Sequence, residues 1–280
     1  MLVFINGQFI PEEQSVVSVF DRAFLYGDGL FETMRVCGGK PFRWAQHLER
    51  LRRGAEFLSI PLMFTPDTLR GFVGQFVEQN QMPDAILRVT LSRGVGVRGY
   101  SPKGADAPFL TMSLHAVPPP LAANEPSGWS LITASIRIFA EDPLTQFKTC
   151  NKLPQIVARA EAEAKGADEA LLLNTIGEVV EAASANLFWV YHDKVCTVPT
   201  GRGALPGITR AVVLEICQVL GLPTSKRVIK PEALRSSEGL FLTQSVRGVV
   251  PVVSLDGEPV TPSPLVEKIS RTYGEMLAKA

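Results

Sequence analysis

Apolar residues open the chain in short extended runs. MLVFING and QFI flank Asn6-Gly7, a two-residue hairpin signal, and VVSVFD at 16–21 reads as a further extended run. Tyr26-Gly27-Asp28-Gly29 is a glycine-rich turn, LFETMRV follows as a strand, and Gly38-Gly39 is the next turn. The period then changes. Trp44, Leu48, Leu51, Ala55 and Leu58 recur at helical spacing and predict an amphipathic helix over 44–58. Residues 66–80 repeat that pattern. ILRVTLSRG and FLTMSLHAV return to strand character on either side of the loop SRGVGVRGYSPKG.

In the second half, WSLITASIRI predicts a strand. Residues 154–165 predict a helix with Pro154 in its first turn and Gly166 as its stop. The stretch from Glu169 to Val198 reads as successive strands turned at Ile176-Gly177 and His192-Asp193. Residues 208–220 form another helix, ended by Gly221-Leu222-Pro223, and LFLTQS, VVPVVSLDG and a last helix from 262 complete the chain. Between the halves, Pro118, Pro119 and Pro120 cannot join a helix or a central strand. The expected organisation is two domains of mixed α/β (α+β) type. A smaller one covers 1–118, a linker 119–127, and a larger one 128–280, which includes Lys148.

Composition excludes classes rather than naming a function. With 280 residues, 46% hydrophobic and 20% charged, the chain has enough apolar surface for a core and is not disordered by composition. Lys+Arg and Asp+Glu both number 28, so the basic excess of a nucleic-acid or membrane-coating protein is missing and a small-molecule substrate is favoured. Cys37, Cys150, Cys196 and Cys217 are scattered without a C-x-x-C, which argues against a disulfide framework or a metal site. MLVFINGQFIPEE has no basic leader region, and no apolar run nears the ~18 residues of a membrane span, so a cytoplasmic protein is expected. Gly94-Val95-Gly96-Val97-Arg98-Gly99 has the spacing of a dinucleotide fingerprint but no following helix.

Four places carry candidate chemistry. Lys148 and Lys152, in QFKTCNKLP just ahead of a helix, are each able to serve as an amine nucleophile if partly desolvated. Glu181 stands in the apolar run VVEAASANLFWV, where an acid is costly unless paired, and the small residues Ala182, Ala183, Ser184 and Ala185 leave room for a flat ligand. Gly207-Ile208-Thr209 opens a helix whose free N–H groups and dipole suit a phosphate. Arg93 and Arg98 flank glycines beside Tyr100, a setting that suits a carboxylate. Each has an ordinary alternative: a solvated lysine, an outward-facing glutamate, a plain helix start, a hairpin tip.

In their order along the chain these residues resemble the class IV pyridoxal-phosphate (PLP) enzymes of fold type IV. That family holds D-amino-acid and branched-chain aminotransferases, (R)-amine transaminases and aminodeoxychorismate lyases. The resemblance runs from Phe4-Ile5-Asn6-Gly7 to Val250-Pro251-Val252. It is carried by Tyr26-Gly27-Asp28-Gly29-Leu30-Phe31-Glu32-Thr33, by Glu181 with Asn186-Leu187-Phe188, and by Pro206-Gly207-Ile208-Thr209-Arg210. It implies a two-domain fold like that of D-amino-acid aminotransferase, PLP as cofactor, an amine or amino-acid substrate, and a homodimer with active sites near its interface. Lys148, not Lys152, matches the lysine that bonds the cofactor and shuttles the substrate proton. Glu181 matches the carboxylate that keeps the pyridine nitrogen protonated. Arg50, in QHLERLRR, matches the arginine that pairs with the phosphate, with further contacts from Ile208, Thr209, Ser245, Val246 and Ser184. Phe31, Arg93, Arg98 and Tyr100 fall at substrate positions.

The finer resemblance is to aminodeoxychorismate lyases, through the loop from Ser92 to Ser101, through Lys148-Thr149-Cys150-Asn151-Lys152-Leu153, and through Ala185-Asn186-Leu187-Phe188-Trp189. Leu153 stands where branched-chain aminotransferases usually carry tyrosine. Phe31 stands where D-amino-acid aminotransferases usually carry one, and Tyr100 where they carry histidine. The implied reaction converts 4-amino-4-deoxychorismate to p-aminobenzoate and pyruvate, within folate biosynthesis. Glu32-Thr33-Met34 leans toward the aminotransferases. The alternative is therefore transamination of D-amino acids, branched-chain amino acids or primary amines onto a 2-keto acid.

Overall fold

The computed structural model describes residues 1–119 and 128–279. Backbone contacts group them into two units, one of residues 1–117 with 147–151 and one of residues 118–146 with 152–279. Most of the expected linker, 120–127, lies outside the described residues. Lys148, expected among the later residues, groups with the first unit. The cause is backbone pairing. The Phe31 N–H donates to the Lys148 carbonyl at 2.9 Å and the Cys150 N–H to the Gly29 carbonyl at 2.8 Å, with Leu30 and Thr149 forming a bridge.

The first unit is built on an antiparallel six-stranded sheet. Its spatial order is Gln8–Pro11, Leu2–Ile5, Phe109–His115, Ala85–Ser92, Gly29–Cys37, Lys40–Pro41. The Asn6-Gly7 hairpin forms as the sequence predicts, with register Leu2 to Pro11. Alternation along Gly29–Cys37 sends Leu30, Met34 and Val36 into a core with Trp44, Leu48, Leu51 and Ala55 of the helix Trp44–Leu58. The helix Pro66–Gln79 adds Leu69, Val73 and Phe76. Full burial of each such side chain is worth about 1.5–3 kcal/mol.

The run at 16–20 is not a strand. Val16, Val17, Val19 and Phe20 are exposed and pair with no neighbouring strand. The chain turns there instead: the Asp21 N–H donates to the Ser18 carbonyl. Asp21 then caps a short helix, Arg22–Tyr26, accepting from the Ala23 and Phe24 N–H groups.

The second unit holds a mixed nine-stranded sheet. Its central part runs Lys194–Thr197, Asn186–Tyr191, Leu240–Gln244, Gly248–Leu255, Trp129–Ile138, Glu169–Asn174, Val179–Ala182. Trp129–Ile138 and Glu169–Asn174 are parallel and joined through the helix Leu153–Ala164, a single βαβ crossover. Small residues permit its close packing, with Ala158 and Ala162 set against Ala134, Ala170 and Leu172. The helices Ile208–Val219 and Pro264–Ala278 complete the unit. Among the described residues no helix is long and apolar enough to cross a membrane.

Candidate active site

Three clusters of the first unit bear on chemistry. The first surrounds Lys148, which is half-buried. Its Nζ lies 4.5 Å from the centre of the Phe31 ring, and the Arg88 guanidinium lies 3.9 Å from the same centre. Strand register explains the grouping. Phe31 opposes Thr90 and Thr33 opposes Arg88, so the four share one sheet face. Arg88 Nε donates to Thr90 Oγ1 at 3.2 Å. Among the described residues no carboxylate pairs with Arg88, and burial lowers its pKa. The sequence reading missed Arg88. Its signal was a lone cation inside ILRVTLS.

The second cluster is buried among Leu30, Met34 and the helix Trp44–Leu58. Glu32 accepts from Arg50 Nε at 2.8 Å and Nη2 at 2.7 Å, and His47 Nδ1 lies 2.7 Å from its Oε2. Burial pushes the Glu32 pKa up, but the charge and hydrogen bonds of Arg50, aided by His47, outweigh it and bring it to about 2. Burial is the main reason the His47 pKa falls, so its imidazole is neutral at pH 7.

The third cluster fixes the Gly/Arg loop. Asp28 binds two arginines: Arg22 through Nε at 2.8 Å, and Arg93 through Nε at 2.8 Å and Nη2 at 3.1 Å. Burial raises the Asp28 pKa, and the bonds from Arg93 and Arg22 more than reverse this. Arg22 also donates to the Gly99 and Tyr100 carbonyls, and the Tyr26 hydroxyl accepts from the Gly99 N–H. Gly94 sits at φ +85°, where a Cβ would overlap the Ala107 carbonyl oxygen. The backbone is thus pinned while Arg98 and Tyr100 stand exposed. Arg93, expected at a substrate carboxylate, spends its donors inside the unit on Asp28, Leu58 and Ser59.

In the second unit, Glu181 lies on the strand Val179–Ala182 and Asn186 opens the next one. Glu181 Oε2 accepts from Asn186 Nδ2 at 2.9 Å and from the Leu205 N–H at 3.0 Å. Asn186 Nδ2 also donates to the Leu205 carbonyl at 2.8 Å. This amide, with the Leu205 N–H, holds the acid and also ties down the approach to the helix Ile208–Val219. A Cβ on Gly207 would overlap Asn186 Oδ1, so only glycine fits at the helix start. No side chain caps that N-terminus. Ile208 and Thr209 are its first two residues, and their N–H groups lie beyond the reach of intrahelical acceptors. Ser245 and Val246 form the turn between Leu240–Gln244 and Gly248–Leu255. Ser184, expected near a phosphate, donates its hydroxyl to the buried Glu169.

Residues 29–255 match the Amino-transferase class IV family. A Methanocaldococcus jannaschii protein, provisionally named a branched-chain-amino-acid aminotransferase, is 34% identical over 93% of this chain and 90% of its own length. The aminodeoxychorismate lyase of Vibrio harveyi is 31% identical over 90% of each chain. Among solved structures, 4-amino-4-deoxychorismate lyase from Pseudomonas aeruginosa superposes with a TM-score of 0.87 at 31% identity, covering 99% of this chain and all of the other. Branched-chain aminotransferase from Thermoproteus uzoniensis gives 0.93 at 27% identity, covering 100% and 95%.

PLP carries an aldehyde, a pyridine nitrogen and a phosphate. The chain holds a half-buried primary amine at Lys148, a carboxylate braced by an amide and a backbone N–H at Glu181, and a helix N-terminus kept open by Gly207. This donor set fits the cofactor. Family match, fold and donor set converge, and the chain belongs to the class IV aminotransferase family, as a PLP-dependent transaminase or lyase of fold type IV.

Proposed function

We propose that this enzyme is an aminodeoxychorismate lyase, releasing p-aminobenzoate and pyruvate from 4-amino-4-deoxychorismate. The observation that carries the reading is Arg88. A cation without a carboxylate partner among the described residues, stacked on Phe31 beside Lys148, suits a substrate that brings a second negative charge to the amine. Exposed Arg98, on its pinned loop, supplies the other cation, and Tyr100 accompanies it. The loop and the Lys148–Leu153 motif, which resemble the lyases, support the same reading.

Bound PLP supplies an electron-accepting ring. Lys148 would be the amine that bonds it and the base that takes the proton from the substrate ring carbon bearing the amine. The enolpyruvyl C–O bond then breaks, the six-membered ring becomes aromatic, and the proton held at Nζ goes to the methylene carbon of the departing pyruvate. Glu181 would keep the pyridine nitrogen protonated. Arg50, Ile208, Thr209, Ser245 and Val246 would be the residues that hold the phosphate. Arg93 and Ser184 engage Asp28 and Glu169 within their own units. The enzyme acts as a cytoplasmic homodimer in folate biosynthesis.

The second reading, a class IV aminotransferase, is favoured by Glu32, the residue at which the sequence leans toward that group. The test compares turnover of 4-amino-4-deoxychorismate with turnover of D-amino acids, branched-chain amino acids and primary amines supplied with a 2-keto acid. Faster turnover of the first, lost in Lys148→Ala, supports the lyase. Turnover confined to the amine and keto-acid pairs overturns it.

A further inference from the structure

Glu32 is out of place in the first unit's core. It occupies the core-facing row of Gly29–Cys37 between Leu30 and Met34, and only 1% of it is exposed. An ionised carboxylate there is costly unless its oxygens are answered. The answers come from one helix face, where His47 and Arg50 stand three residues apart. Arg50 meets the two carboxylate oxygens with Nε and Nη2, and His47 meets one with Nδ1. Stability does not explain the arrangement, because an apolar residue of similar size in place of a buried ion pair is often as stable.

We infer that Glu32 and His47 are positioning residues for Arg50, fixing the plane of its guanidinium so that it meets the cofactor phosphate already ordered. The inference rests on the reading of Arg50 as a phosphate contact. A long arginine side chain left free loses rotamer freedom on binding, whereas a bidentate clamp removes that loss beforehand. His47 restrains the carboxylate in turn. Because Glu32 is charged, the hydrogen bond fixes the imidazole proton on Nδ1. The pair Glu32–Arg50 sums to no net charge, so the benefit lies in orientation rather than in added attraction.

The test measures rebinding of PLP and of pyridoxal, which lacks the phosphate, to the full-length protein stripped of cofactor, followed by visible absorbance. In Glu32→Gln the PLP dissociation constant is expected to rise roughly tenfold, the affinity equivalent of one arginine's rotamer freedom. Pyridoxal binding should be unchanged. His47→Gln should shift the same ratio in the same direction by less, and it carries the test if Glu32→Gln does not fold. Equal weakening toward both ligands, or no weakening toward PLP, overturns the inference. Arg50→Gln separates the two ways of failing. If it removes the preference for PLP while Glu32→Gln leaves it intact, the clamp alone is wrong. If it leaves the preference intact, Arg50 does not hold the phosphate and the clamp falls with that reading.

Discussion

The two units place their functional groups by opposite means. The first unit relies on long charged side chains fixed by buried acids: Asp28 holds Arg22 and Arg93, and Glu32 holds Arg50 and His47. The second relies on backbone and short side chains. One amide, Asn186, helps fix Glu181 and leaves space that only Gly207 can fill, and the open groups there are N–H groups of an uncapped helix start. The difference follows from reach. A flexible guanidinium must be ordered by a partner, while a helix N-terminus is ordered by the helix itself. The first strategy concentrates energy in a few ion pairs. The second spreads it over packing.

Removing an acid in the first unit should therefore do the most damage. Asp28→Asn leaves two buried guanidinium groups without their shared charge and is expected to destabilise the protein by about 3 kcal/mol in denaturant titration at pH 7. The native pKa of Asp28 is lowered from its ordinary 3.8. The gap between wild type and variant should thus be fully present above that value and close as pH falls through the lower native pKa. A gap below about 1 kcal/mol at pH 7 would remove the contrast between the units.

In the second unit, Gly207→Ala forces a Cβ into Asn186 Oδ1. The expected cost is about 2 kcal/mol of stability, with weaker PLP retention, because overpacking displaces the helix start. An unchanged melting temperature and unchanged retention would show that the helix start tolerates a shift. Arg88→Gln should raise KM for 4-amino-4-deoxychorismate roughly tenfold, more than it lowers kcat, the effect of losing one charged hydrogen bond. An unaltered KM would take Arg88 out of the substrate site. The smallest effect belongs to Thr243→Val. The Thr243 hydroxyl is buried and finds no partner among the described residues, so its removal should stabilise by about 1 kcal/mol or less. A clear loss of stability would mean that the hydroxyl has a partner in solution.

The same contrast decides what could be read from the sequence. The second unit's groups are local: Glu181 and Asn186 are five residues apart, and Gly207-Ile208-Thr209 is contiguous. Both were legible as motifs, as was the helix over 44–58 from its periodicity. The first unit's clusters are assembled by the fold. Asp28 meets Arg93 across 65 residues, and strand register alone brings Arg88 to Phe31. The bonds of Arg93 to Asp28 and the backbone pairing of Lys148 with Phe31 and Gly29 therefore left no local signal in the sequence. The bond of Ser184 to Glu169, 15 residues earlier, was hidden for the same reason.

The lyase reading is tested most directly by counting turnovers per bound cofactor with 4-amino-4-deoxychorismate and no 2-keto acid. A lyase returns its cofactor unchanged, so p-aminobenzoate and pyruvate should appear in equal amounts and far exceed the enzyme concentration. An enzyme that retains the amino group stalls without an acceptor. Product that stops at one equivalent or never forms, from protein that turns over an amine once a 2-keto acid is added, would contradict the account.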